Sequence, residues 1–328
     1  MKSKLTSLFF ATFLLLASCG NNRIVPETKD YFIEIPYQNN FRILQLTDLH
    51  ISDKDDQDLH YRFIDLTIMD ANPHLIVVTG DIFTFASKST AKRLFNYLDS
   101  HGVPWTVTFG NHDEQCNFSI NWLAQYLSNY GSNCLFKDIA NDNVYGNCNF
   151  VINLKKDNAV HEQIIIMDSN RYNFGSYFGY DYIKQDQIEW YEKIVNYTTE
   201  QNGSVVPSII YCHIPIPEMN EAWEKSQKGD PDAVHEFGEK REKICPPDYN
   251  SGLFDMMVSL GSTRAMFFGH DHLNNFCVTY KGISLGYGIT STNRFYHDEN
   301  LIGGQVVVIH DDHSLTYEQY YHSYDEVR

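Results

Sequence analysis

The sequence predicts an α/β fold: a largely parallel sheet, buried on both faces, with helices between its strands. Near-continuous apolar runs such as Leu75-Ile76-Val77-Val78 and Ile209-Ile210-Tyr211 alternate with stretches whose apolar residues recur at helical spacing. Of the 328 residues, 43% are hydrophobic and 20% charged, a globular balance with ample length for a large core. No repeat period or linker-like break divides the chain, so one large domain over residues 41–328 is expected.

Phe41 to Thr47 reads as the first strand of that domain and runs into Asp48-Leu49-His50. Leu59, Phe63, Leu66 and Met69 then mark a helix that Asn72-Pro73 stops. The strand from Leu75 ends in Gly80-Asp81, and a second helix carries Leu94, Tyr97 and Leu98. Val103 to Phe109 forms a third strand, delivering Gly110-Asn111-His112-Asp113-Glu114. Asn149–Leu154 and Gln163–Met167 alternate as strands, the second leading into Asp168-Ser169-Asn170. Ile188, Tyr191, Ile194 and Val195 line one side of a helix. The strand from Val205 to Cys212 delivers His213. Residues 218–250 are polar and weakly periodic and read as a long surface excursion. A helix over Leu253–Leu260 precedes the strand Ala265–Phe268, which ends in Gly269-His270-Asp271-His272. Three further strands, the last around Val306–Ile309, complete the sheet.

The first residues have a basic start, a short apolar core and the junction Leu16-Ala17-Ser18-Cys19. This describes an export signal over residues 1–18, too short for a comfortable membrane span, and the junction resembles that of bacterial lipoproteins. The expectation is an exported chain anchored to a bacterial membrane through lipidated Cys19, on the periplasmic side or at the cell surface. Residues 19–40 would serve as a tether and first edge segment. Removing residues 1–18 takes away Lys2 and Lys4 and no acids, moving the net charge from −17 to −19. Such a surface repels polynucleotides but not a small phosphorylated substrate held by cations. Six cysteines remain after Cys19, an even count that permits disulfides without choosing a pairing. The absence of a Cys-x-x-Cys pair argues against a zinc–thiolate site.

Ligands of an open parallel sheet bind outside the carboxyl ends of the strands. Those ends supply Asp48, His50, Asp81, Asn111, His112, His213, His270 and His272. In an extended Asp-x-His or His-x-His, positions i and i+2 face the same side and reach one centre together. Carboxylates, imidazoles and one amide oxygen suit Mn, Fe or Zn better than a soft metal, Ca or Mg.

The ordered blocks Asp-x-His, Gly-Asp, Gly-Asn-His-Asp, a lone His and Gly-His-x-His resemble the calcineurin-like metallophosphoesterase superfamily. The contexts Phe-Arg-Ile-Leu-Gln-Leu-Thr-Asp-Leu-His and Gly-His-Asp-His-Leu-Asn-Asn-Phe-Cys are similar to the purple-acid-phosphatase-like proteins of plants and related fungal phosphatases. The resemblance implies a four-layer α/β/β/α sandwich with a dinuclear metal centre. By it, Asp48, His50 and His272 would hold one ion, Asn111, His213 and His270 the other, and Asp81 would bridge them. His112 would be the catalytic side chain, oriented by Asp113, and Asn111 and His112 would meet the substrate.

Purple acid phosphatases carry a tyrosine three residues after the bridging Asp and a glycine in the position of His50. Here the tyrosine position is Thr84, so no purple iron chromophore is expected. Two cations would supply an activated hydroxide at neutral pH and neutralise the phosphoryl oxygens, while His112 would protonate the leaving oxygen.

The function expected is a phosphomonoesterase. The alternatives are a phosphodiesterase, a hydrolase of nucleotides or lipid head groups, and a surface lipoprotein that holds metal, or adheres, without turnover. Substrate choice is expected in the loops 218–250 and 286–298. The aromatic stretch 172–180 reads as packing, with lining the pocket as the alternative. Arg171 and Arg294 remain unassigned between phosphate clamp and surface charge, and the other nine histidines read as ordinary.

Overall fold

The structure is a computed structural model that describes residues 27–139, 144–173 and 179–328. The export signal, Cys19 and much of the aromatic stretch after Asn173 lie outside the described residues. Two mixed sheets face each other. The larger has the order β1 (Phe32–Pro36), β5 (Phe150–Lys156), β6 (Ala159–Ile166), β9 (Ser208–Tyr211), β11 (Thr263–Phe268), β13 (Ile283–Tyr287), β12 (Cys277–Tyr280), β10 (Ala233–Phe237). The smaller has the order β15 (Leu315–Tyr321), β14 (Gly303–Ile309), β2 (Phe41–Leu46), β3 (Leu75–Thr79), β4 (Trp105–Thr108). A short ribbon pairs β7 (Tyr172–Asn173) with β8 (Gly179–Tyr180).

The single sheet expected from apolar strands is therefore two sheets. A strand covered by a second sheet on one face and by helices on the other is as apolar as one between two helical layers. Tyr211, Ile209 and Phe267 of the larger sheet join the core of β2, β3 and β4, while Ile210, Met266 and Phe268 pack on the outer side. The outer helices of the larger sheet are α4 (Gln185–Asn202), α5 (Glu218–Gln227) and α6 (Leu253–Leu260). The smaller sheet is covered by α1 (Gln57–Ala71), α2 (Lys88–Ser100) and α3 (Ile120–Ser128), with Phe95 of α2 stacked on Trp105 at 5.5 Å. This is the α/β/β/α order that the resemblance implied.

Local chemistry sets the helix ends. The Asp56 side chain accepts from the Leu59 N–H at the start of α1, and Asn72 closes that helix in the left-handed region at φ 42°. Residues 218–250 are not an irregular excursion, since α5 and the edge strand β10 lie within them. Only Glu218, Met219 and Ala222 of α5 are buried, and most of β10 faces solvent, so neither leaves a clear apolar period. A fourth C-terminal strand, β15, is half-exposed for the same reason. Phe32–Pro36 form the edge strand β1, paired parallel with β5.

Strands β2, β3 and β4 run parallel, as do β6, β9, β11 and β13. The two sheets are tied together near the carboxyl ends of these strands. Gln45 donates through Nε2 to both Thr79 Oγ1 and the Phe268 carbonyl, each at 2.9 Å. Thr108 donates to the Met167 carbonyl at 3.3 Å. The loops after β2, β3, β4, β9 and β11 are thereby held at one place. Cys116, Cys134, Cys148, Cys212, Cys245 and Cys277 are all free thiols. No helix among the described residues is long and apolar enough to cross a membrane.

Candidate metal centre

Four strand ends, those of β2, β3, β9 and β11, deliver two triads, Asp48–His50–His272 and Asp81–His213–His270, whose ligand atoms lie within 4.8 Å of one another in each. All six residues are buried, as is Asn111. The turns leave little room. A methyl group on Gly110 would fall 2.2 Å from Asp81 Oδ1, and one on Gly269 would fall 2.0 Å from Thr47 Oγ1. The glycine in each block therefore admits its neighbour. Asp48, His50, Asp81 and His270 all adopt left-handed backbone, with φ of 54°, 46°, 46° and 78°. Side chains other than glycine rarely sit there unless the surroundings hold them.

The imidazoles are oriented from behind. His50 Nδ1 lies 2.8 Å from Thr84 Oγ1, His213 Nδ1 2.8 Å from the Thr79 carbonyl, and His272 Nδ1 2.9 Å from the Tyr296 carbonyl. With Nδ1 engaged, each ring presents Nε2 to the centre. His50 Nε2 and His272 Nε2 are 3.2 Å apart, and His272 Nε2 is 3.4 Å from Asp48 Oδ1. Asp81 Oδ2 is 3.8 Å from His50 Nε2 and 3.3 Å from His213 Nε2, so one oxygen faces both triads. Its other oxygen accepts the His112 backbone N–H at 2.7 Å. Asn111 donates through Nδ2 to the Tyr172 hydroxyl at 2.8 Å.

One buried acceptor of these loops, Asn111 Oδ1, lacks any hydrogen-bond partner. Buried polar atoms are ordinarily paired, and a cation would satisfy it. The electrostatics agree. Burial opposes ionisation of Asp48, yet His272 beside it holds its carboxyl down at about 2. Burial likewise opposes the charge on Asp81, but His213 holds it far below the usual carboxylate range. Burial pushes His50 and His270 down to about 3, leaving them neutral at physiological pH. Burial also works against charging His213, but Asp81 outweighs it and raises the imidazole to about 10. Two buried carboxylates thus call for positive charge, and the donor set is nitrogen and oxygen throughout. The residues fit two metal sites, Asp48, His50 and His272 for one and Asp81, His213 and His270 for the other, where the resemblance would add Asn111.

His112 stands beside this cluster, partly buried, its ring 5.1 Å from that of His50. One expectation is corrected here. Asp113 does not take the His112 ring; its two oxygens accept the Phe83 N–H at 2.9 Å and the Gly110 N–H at 2.8 Å. The ring is held by Gln115, whose Oε1 lies 2.9 Å from Nδ1. Residues 113–115 form one 3-10 turn, which turns the Asp113 side chain inward and brings position 115 back towards 112. Asp113 fixes the loop, Gln115 the imidazole.

Arg171 pairs with Glu114 at 3.2 Å and Arg294 pairs with Asp55. Tyr172 and Tyr180 of the β7–β8 ribbon do reach the site, Tyr180 edge-on to His270 at 4.4 Å. Phe295 and Tyr296 also cover it, Phe295 tilted against His50 and Tyr296 stacked on His272. They lie in the loop 286–298 but carry no motif of their own, and Thr84 and Gln115 are equally silent in the sequence.

A family model described as calcineurin-like phosphoesterase matches residues 41–274. An Arabidopsis thaliana protein named probable inactive purple acid phosphatase 29 is 28% identical over 316 residues, covering 86% of this chain and 79% of its own length. Phosphatase DCR2 of Saccharomyces cerevisiae is 24% identical, over 74% of this chain and 45% of that protein. A solved structure of a dimetal phosphatase from Danio rerio has the same fold, with a TM-score of 0.58 at 15% identity, over 86% of this chain and 96% of that one. The family match spans all five strand-end blocks, and the chain belongs to the calcineurin-like phosphoesterase family.

Proposed function

We propose that this protein hydrolyses phosphoric monoesters, with His112 delivering the proton to the leaving oxygen. The observation that carries the reading is the posture of His112. Its backbone N–H is anchored on Asp81, and its Nδ1 is anchored on Gln115. No hydrogen bond to its Nε2 is formed among the described residues, so that nitrogen is free to meet an ester at the edge of the metal ligands. When bound, two cations supply a hydroxide at neutral pH and neutralise charge on the phosphoryl oxygens. The nitrogen and oxygen donors favour Mn, Fe or Zn. Thr84 is spent on His50 and offers no tyrosinate. The chain's own part is to hold the ester against Asn111 and His112 and to move one proton from Nε2 to the departing alcohol.

His112→Asn tests this. An alkoxide departs poorly without a proton, whereas nitrophenolate leaves readily as the anion. The expected result is a fall in kcat/KM of about 10²–10⁴-fold for alkyl phosphates and much less for nitrophenyl phosphate, with both metals retained. A uniform loss across leaving groups would remove the general-acid role. The name of the Arabidopsis relative favours a second reading, a metal-bearing fold without turnover. Under it the wild type hydrolyses none of a panel of monoesters and diesters offered with Mn, Zn and Fe.

We further propose export and acylation at Cys19, supported by the Leu-Ala-Ser-Cys junction behind a basic and apolar start. Intact-mass analysis of membrane fractions should find a lipid adduct on a chain beginning at Cys19. A mature chain beginning elsewhere rejects it.

A further inference from the structure

We propose that Phe295 is the platform for the leaving group, and that the preferred substrates are monoesters of uncharged alcohols with a planar aromatic ring. This rests on the phosphomonoesterase reading above. The Phe295 ring lies 4.2 Å from the His50 ring and 5.8 Å from the His112 ring, yet remains 38% exposed. It is thus an apolar face at the rim, beside the imidazole that protonates the departing oxygen. The alcohol portion of an ester must extend outward from that oxygen, and the exposed ring is the surface it meets there.

The position is built. Tyr296, the next residue, stacks on His272 at 4.5 Å and 10°, and its carbonyl takes His272 Nδ1. Arg294, the residue before, is paired with Asp55. Further along, the Asp298 carboxylate pairs with Arg241, and its carbonyl accepts the Leu301 N–H. A loop pinned at 294, 296 and 298 presents residue 295 outward by construction. An aromatic face held rigidly loses little freedom when a flat group stacks on it.

The surrounding charge narrows the class. The arginines of the adjoining loops, Arg171, Arg241 and Arg294, are each committed to a carboxylate. With those cations engaged and the chain at −17 overall, a leaving group bearing a second phosphate or a carboxylate is disfavoured.

The test uses metal-loaded protein and non-hydrolysable probes, benzylphosphonate and ethylphosphonate, in which carbon replaces the leaving oxygen. Calorimetry should show benzylphosphonate binding about tenfold more tightly to wild type, the size of one aromatic stacking contact. Phe295→Leu keeps an apolar side chain against His50 but removes the flat face, and the preference should fall below about threefold. Phe295→Tyr should retain it. Metal content, measured on the same samples, should be equal across the three. Equal affinity of the two probes for wild type overturns the proposal, as does a tenfold preference that survives in Phe295→Leu. If metal-loaded wild type binds neither probe, the phosphomonoesterase reading fails first, and the inference with it.

Discussion

Thr84→Val removes one hydroxyl and keeps the shape of the side chain. That hydroxyl lies 2.8 Å from His50 Nδ1. Thr84 is 2% exposed and His50 1%, so no water replaces it. A buried N–H left without a partner costs about 1–3 kcal/mol, which at about 1.4 kcal/mol per decade is roughly 5- to 150-fold in affinity. Outer partners of metal-binding histidines are typically worth about 10- to 100-fold, in the same range. The loss should be confined to the site built from Asp48, His50 and His272. Asn111, His213 and His270 have their own supports, and affinity at their site should move by less than about threefold. Titration of the loaded protein with a competing chelator, read by elemental analysis, resolves two affinities in wild type and shows which one falls. Equal weakening of both sites, or no change in either, would refute the assignment of Thr84 as the residue that fixes His50.

Asp81→Asn should weaken both sites together. The His112 N–H needs an acceptor, so the amide oxygen turns towards it and the NH₂ group takes the place of Oδ2 facing both triads, where it would no longer serve a cation. Metal content unchanged from wild type would show the bridge to be elsewhere. Far from the centre, burial pushes the Glu162 carboxyl up to about 7 against the pull of Arg264, 2.7 Å away. A carboxyl raised in the fold favours the folded state while neutral, and that advantage is lost as pH rises from about 4.5 through about 7. Glu162→Gln should therefore gain on wild type across that window, by about 3 kcal/mol at most. Denaturation curves that stay parallel from pH 4.5 to 7.5 would exclude the effect.

The site was legible because its ligands sit at strand ends, where a short polar block interrupts an apolar run. Asp48, Asp81, Asn111, His213, His270 and His272 converge because strand direction alone brings them together. What supports them was not legible. Thr84 and Gln115 are ordinary residues whose roles exist only once a turn has folded, and the paired orientation of Asp113 is fixed by two backbone N–H groups. The second sheet was hidden because Ile209 and Ile210 are equally buried, one against β-strands and the other against helices. Edge elements such as β10 and β15 left no alternation, since an edge strand need not hide either face.

The left-handed backbone at Asp48, His50, Asp81 and His270 has a consequence for the stability of the fold. Each such residue lies above its relaxed conformation by about 1–2 kcal/mol. Across four residues that is several kcal/mol, comparable to the net stability of an ordinary domain. Packing and hydrogen bonds around the strand ends must offset that cost for these residues to keep this backbone. Glycine in the position of His50 would relax that strain outright. An imidazole kept there must give back, through the contacts it makes and any ion it would hold, more than its backbone gives up.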